Sequence, residues 1–103
     1  MRSVRITDDA AQEAAEAMAW YEGKWPGFGT DFSQAVERAL DVLEENIVPL
    51  QPLRGKSGAQ GAKRLILKRF PYDIVAVERN GEVVVVAVAH HSRKPGYWRK
   101  RLG

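Results

Sequence analysis

The amino-acid sequence predicts an α+β domain in the order β-α-α-β-β-β, with a helical hairpin packed on one face of a mostly antiparallel four-stranded sheet. Apolar residues recur at helical spacing in two stretches of the first half, and Pro26-Gly27 separates those stretches. The second half turns to β-branched residues punctuated by Asn80-Gly81. A chain of 103 residues suits one domain, residues 1–103. A core of that size removes about 60–65% of the surface an unfolded chain exposes.

Ser3-Val4-Arg5-Ile6 alternates polar and apolar residues, the pattern of a short half-buried edge strand. Thr7-Asp8-Asp9 then offers an oxygen acceptor for free backbone N–H groups and negative charge for the positive end of a helix dipole, so a helix starts there. Ala11, Ala14, Met18, Tyr21 and Trp25 fall on one stripe, with Gln12, Glu13, Glu16 and Glu22 outside it. Pro26-Gly27-Phe28-Gly29 breaks the pattern, and Thr30 is the expected cap of a second helix. Phe32, Val36, Ala39 or Leu40, Leu43 and Ile47 form the second stripe, which Pro49 ends. Two such helices joined by a short turn make an antiparallel hairpin.

Residues 49–61 hold two prolines and three glycines with no periodicity, which predicts a flexible connection. Strands are expected from Lys63 to Arg69, Tyr72 to Glu78 and Glu82 to His90. Asn80-Gly81 suits a type I′ turn between the last two, because both positions take positive φ. The run Val83 to Ala89 is apolar on both faces, as in a strand covered on both sides or central in the sheet. Side-chain alternation puts Leu65 and Leu67 toward the helices and Arg64 and Lys68 on the open face. A basic tail, 93–103, closes the chain.

The chain has no cysteine, which excludes disulfide scaffolds, thiol nucleophiles and cysteine-based zinc sites. No apolar run is long enough to span a membrane, and the amino terminus lacks the apolar core of a signal peptide, so a cytoplasmic protein without a membrane partner is expected. Residues 1–50 carry four basic and ten acidic side chains, and residues 51–103 twelve basic and three acidic. The basic half is either a footprint for phosphates or for an acidic protein partner, or a complement to the acidic helices of the same molecule.

The order of elements and several local patterns together resemble the RelE/ParE superfamily, the toxins of bacterial type II toxin–antitoxin systems of the plasmid stabilisation type. The pieces are Ala19-Trp20-Tyr21-Glu22, Pro26-Gly27-Phe28-Gly29 followed by Phe32, the Val36/Leu40/Leu43 spacing, Lys63-Arg64, Arg69-Phe70-Pro71-Tyr72, and Ala87-Val88-Ala89-His90 leading to Arg93, Pro95 and Trp98. The resemblance spans nearly the whole chain. It implies a growth-arresting toxin neutralised by a cognate antitoxin. RelE-like members cut messenger RNA on the ribosome without a metal, whereas ParE-like members act on DNA gyrase, and one fold serves both.

A ribonuclease needs a group to accept the 2′-hydroxyl proton, a group to protonate the leaving oxygen and cations for the phosphate. Within the resemblance, the candidates for those roles are Arg64, His90, His91, Arg93 and Tyr97. Either histidine alone also reads as a hydrogen-bonded structural residue, and adjacent strand residues face opposite ways, which argues against a two-histidine metal site. Neither a metal nor another cofactor is expected. A gyrase inhibitor requires only a binding surface, for which Lys63, Lys68, Trp98, Arg99 and Arg101 are the candidates, with Trp20, Tyr21 and Phe28 as further aromatic anchors. Trp20 or Tyr21, and Trp25, read equally as core. The sparse set of acid-base groups favours the ParE-like reading over the ribonuclease. A non-toxic nucleic-acid-binding module, gripping phosphates with its basic half, is the third reading.

Overall fold

The computed structural model describes residues 3–45, 51–52 and 61–102. Its elements are β1 (Ser3–Ile6), α1 (Asp8–Lys24), α2 (Phe28–Glu45), β2 (Gln51–Pro52), β3 (Lys63–Ile66), β4 (Tyr72–Arg79), β5 (Glu82–His90) and a closing 3₁₀ turn, Arg99–Leu102. The four expected strands are present and mostly antiparallel. They lie in the order β1-β5-β4-β3, with two-residue β2 added beside β3. β1 runs parallel to β5, Ser3 opposite Glu82, and the other pairings are antiparallel. The expected flexible connection at 49–61 lies outside the described residues except for strand β2 and Gly61, as do Ile47 and Pro49.

Thr7 caps α1 as expected, its Oγ1 accepting from Ala10 N at 3.2 Å. The helix is rotated from the expected stripe. Ala10, Ala17 and Tyr21 are buried and Ala14 is partly so, whereas Ala11, Met18 and Trp25 face outward. Small side chains along the buried line let α1 lie close against β5 and α2, and the bulkier thioether and indole are displaced to the surface. Thr30 is not the cap of α2, which begins two residues earlier. A carboxylate from the preceding helix does that work: Glu22 accepts from Gly27 N and Gly29 N, each at 3.1 Å. Gly29 is required there, since a Cβ would stand 2.8 Å from the Met18 carbonyl oxygen.

The hairpin covers one sheet face. Phe32, Val36, Ala39 and Leu43 of α2 meet Ile74, Ala76, Val83, Val85 and Val88, and Leu65 and Leu67 join them as expected. An aromatic knot closes one end of this core: Tyr21 stacks on Phe32 at 5.5 Å, and Phe70 and Tyr72 meet them edge-on. β3 ends at Ile66 rather than Arg69, because the chain turns through Lys68–Pro71 to enter β4. Asn80 and Gly81 take φ of 52° and 77°, the left-handed pair that the expected tight turn needs.

The opposite sheet face is not an open basic surface. Val75, Val77, Val84, Val86, Ala87 and Ala89 form a second core there with Ala62, covered by Trp98 and Leu102. A bulge makes this possible: Val75 pairs with Ala87 and Ala76 with Val85, so Val86 has no counterpart, and Val86 and Ala87 both face the second core. β5 is therefore central and covered on both sides, which explains its unbroken apolar run.

Candidate functional site

Two polar clusters lie where the carboxy-terminal segment meets the sheet. The first forms where β5 ends. Pro71 O accepts from His91 N at 2.8 Å, which holds His91 one residue beyond the strand and beside the start of β4. Asp73 shares its sheet face with Val75, and Arg64 reaches it diagonally, since Ile66 pairs with Asp73 and Arg64 with Val75. The Asp73 carboxylate meets His91 Nε2 at 2.8 Å through one oxygen and Arg64 Nη1 at 3.6 Å through the other. Asp73 is largely enclosed, its side chain 14% exposed, while the His91 ring is 44% exposed. Arg64 Nε is buried and has no hydrogen-bond partner among the described residues.

Asp73 holds the imidazole through Nε2, and the Arg64 guanidinium stands beside the other carboxylate oxygen.

The second cluster closes an open sheet edge. β1 stops opposite Val85, so the outward backbone groups of β5 beyond it need other partners. Glu13 of α1 accepts from Val88 N at 3.0 Å, and Arg101 Nη1 donates to Val86 O at 3.0 Å. Arg101 also pairs with Glu13 at 2.9 Å and with Asp9 at 3.6 Å. Tyr97 donates to the remaining Glu13 oxygen, and the Arg93 guanidinium lies 3.8 Å from the centre of the Tyr97 ring. Burial and the hydrogen bond to Glu13 hold the Tyr97 phenol well above the ordinary tyrosine range, so it is a neutral donor. The same glutamate raises Arg101.

The sequence-predicted residues are thus divided. Arg64 and His91 come together through Asp73. His90 is elsewhere: its Nδ1 accepts from Ser92 N at 2.9 Å and its ring meets Tyr72 edge-on at 4.9 Å. Tyr97 and Arg93 belong to the edge-closing cluster. Of the candidate partner-binding residues, Trp98 is a core residue, 5% exposed, and Arg101 is committed to Glu13, Asp9 and Val86. The tail is thus packed through Tyr97, Trp98, Arg101 and Leu102, while Arg93, Lys94, Arg99 and Lys100 are exposed. Lys63 is half-buried in β3, and Lys68 and Arg99 are exposed. At the hairpin tip Tyr21 is core, whereas Trp20, Trp25 and Phe28 are 54%, 49% and 41% exposed.

Asp73 and Glu13 are not among the residues that the sequence singles out. Glu13 lies on the true buried line of α1, three residues after Ala10 and four before Ala17, a signal hidden by choosing the stripe one residue over. Asp73 is one of three acids in the basic half, and strand parity alone did not reveal that Arg64 and His91 converge on it.

No family model and no curated protein matches the chain. A solved structure does: a chain of the "Chromosomal ParDE TA system from P. aeruginosa" superposes with a TM-score of 0.73, over 87% of this chain and 96% of that one, at 18% identity. The fold is that of this ParDE structure. It is the architecture that the RelE/ParE resemblance implied, including the hairpin on one sheet face. On this ParDE-like fold the Arg64–Asp73–His91 cluster sits on the side away from the hairpin, at the end of the sheet where β4 begins and β5 ends. Among the described residues, no group of three His, Asp or Glu side chains could hold a metal ion, and no helix is long and apolar enough to cross a membrane.

Proposed function

We propose that this protein is the toxin of a bacterial type II toxin–antitoxin system of the plasmid stabilisation type, acting in the cytoplasm and arresting growth until a cognate antitoxin binds it. The observation that carries the reading is the fold shared along nearly the full length of both chains with the ParDE system. An antitoxin segment that orders as it wraps the toxin suits a protein this small.

ParE-like action on DNA gyrase is the favoured mechanism. The residues expected to make a ribonuclease centre are dispersed over separate surroundings: His90 is against Tyr72, Tyr97 against Glu13, and Arg93 against the Tyr97 ring. Exposed Lys68 and Arg99 remain as candidate contacts to the target. Lys63, at the start of β3, is a third. A supercoiling assay with purified gyrase tests this mechanism: the added chain is expected to inhibit supercoiling, and unchanged activity at excess toxin removes gyrase as the target.

One observation favours a second reading, a RelE-like messenger-RNA endoribonuclease acting on the ribosome. The 2.8 Å contact between Asp73 and His91 orients an exposed imidazole beside an arginine, as proton transfer at a phosphate would require. New messenger-RNA ends within codons on translating ribosomes, lost in His91→Gln, would establish it over the gyrase mechanism.

A further inference from the structure

The tip of the helical hairpin carries large apolar side chains that neither core uses. Trp20, Trp25 and Phe28 are exposed there and touch in series: ring centres lie 6.1 Å apart for the tryptophan pair and 5.4 Å apart for Trp25 and Phe28. A surface facing water seldom carries such a joined patch without something to cover it. The charges around the patch are sorted. Both Glu22 oxygens accept from Gly27 N and one also from Gly29 N, so that carboxylate is engaged within the turn. Asp31 pairs with Arg69 at 3.9 Å, and the Lys24 ammonium lies 5.6 Å from the centre of the Trp20 ring. Exposed Lys68 and Arg69 stand beside the tip, because Phe70 of the same turn packs on Tyr21 and Phe32. Five acids lie at the far end of the hairpin: Asp8 and Asp9 in the first turn of α1, and Asp41, Glu44 and Glu45 at the end of α2. Asp8 and Lys24 are about 24 Å apart along the helix axis at 1.5 Å per residue. That is well beyond the screening length of about 8 Å at physiological salt. Glu16 and Glu37 stand partway along.

We infer that the hairpin tip is a peripheral anchor for an anionic lipid bilayer, seating Trp20, Trp25 and Phe28 in the interfacial layer with Lys24, Lys68 and Arg69 toward the headgroups. Indole rings favour that layer, where an apolar body and a polar N–H are both accommodated. The charge sorting sets the orientation: cations flank the aromatic end, and the acids at the opposite end are repelled by a negative surface, so the hairpin stands end-on. A convex turn with three exposed rings suits a deformable bilayer better than a stable protein interface, which takes about 20–30 residues a side. Among the described residues no helix is long and apolar enough to cross a membrane, so the contact lies at the interface and needs neither a span nor a signal peptide. Binding through so small a patch is weak and reversible. The anchor goes beyond the toxin reading, since it depends on the exposed tip alone and holds whether or not the chain arrests growth.

The test is cosedimentation of the full chain with vesicles of phosphatidylcholine alone and of phosphatidylcholine mixed with phosphatidylglycerol, read together with tryptophan emission. Trp98, enclosed in the second core, supplies a constant background. The chain is expected to sediment with the mixed vesicles and its emission to move to shorter wavelength, with weaker partitioning onto phosphatidylcholine alone. Trp20→Ala combined with Trp25→Ala is expected to lower the partition coefficient by about tenfold or more, the scale of burying one large apolar side chain, while circular dichroism stays native. Lys24→Gln should weaken binding to the mixed vesicles by about fivefold, the effect of one basic residue near an anionic surface. Absence of sedimentation with either vesicle, or partitioning undiminished in the double variant, would overturn the proposal, and equal binding to both vesicles would overturn its anionic headgroup. A concentration-dependent dimer in analytical ultracentrifugation, dissolved by the double variant and without vesicle binding, would assign the tip to a second copy of the chain instead.

Discussion

Tyr97 donates its phenolic hydrogen to Glu13 across 2.5 Å, joining residues 84 positions apart in the chain. That bond ties the carboxy-terminal segment to the first helix, beside the stretch of β5 that runs past the end of β1. Helix α1, the sheet edge and the closing turn therefore share one polar junction, because Glu13 also meets Arg101 and the Val88 amide.

Glu13→Ala strips three donors of their acceptor at once, the Tyr97 hydroxyl, the Arg101 guanidinium and the Val88 amide. A loss of about 2–3 kcal/mol in urea unfolding is expected, the scale of a hydrogen-bonded charged group removed from partly buried partners. Tyr97→Phe removes one donor and keeps the ring, so its cost is expected to be smaller.

All three tyrosines of the chain, Tyr21, Tyr72 and Tyr97, have their ionisation raised above the ordinary value of 10.0, each chiefly by burial. For Tyr97 the bond to Glu13 adds to the effect. The folded protein holds these protons more tightly than the unfolded chain. The associated stability is thus complete below pH 10 and lost as pH rises beyond it. Phenolate absorbance should appear late and together with unfolding, and Tyr97→Phe should reduce the alkaline fall in stability.

Gly29 and Gly23 make a matched pair on the hairpin. A Cβ at Gly29 would meet the Met18 carbonyl oxygen at 2.8 Å and the Glu22 Cβ at 2.9 Å, whereas one at Gly23 meets nothing within 4 Å. Gly29→Ala is expected to destabilise by about 1–3 kcal/mol, as overpacking does. Gly23→Ala should stabilise by about 0.5–1 kcal/mol, from helix propensity alone. Thermal melts of the two variants check both signs.

Trp98→Ala is expected to cost about 3–5 kcal/mol, because the indole is enclosed in the second core. Trp20→Ala, at an exposed ring, should change stability by no more than about 0.5 kcal/mol. Equal losses in denaturant titrations would contradict the placement of the tail against the sheet.

The alternation and turn chemistry of the second half were legible from sequence because each is local: Asn80-Gly81 sets its own hairpin, and Leu65 and Leu67 follow from parity. The rotation of α1 was not. Ala11 and Ala10 are equivalent in hydrophobicity, and what separates them is the close approach of β5 and α2, a tertiary fact. Thr30 looked like a cap because the acceptor that serves α2, Glu22, comes from the other helix. The bulge at Val86 was hidden in an unbroken apolar run, and without it no pattern shows that Trp98 and Leu102 have a second core to cover. The candidate site was half legible: Arg64 and His91 were visible as chemistry, while the residue that brings them together, Asp73, became visible only through strand pairing.

The most direct test of the toxin reading is to induce this chain alone in a bacterial host and follow pulse-labelled incorporation into DNA and into protein over the first minutes. Growth arrest is expected, in which DNA synthesis fails first and cells become filamentous. Arrest led by protein synthesis would transfer the mechanism to the ribosome, and a culture that grows undisturbed with the chain folded and abundant would contradict the reading of this protein as an active toxin.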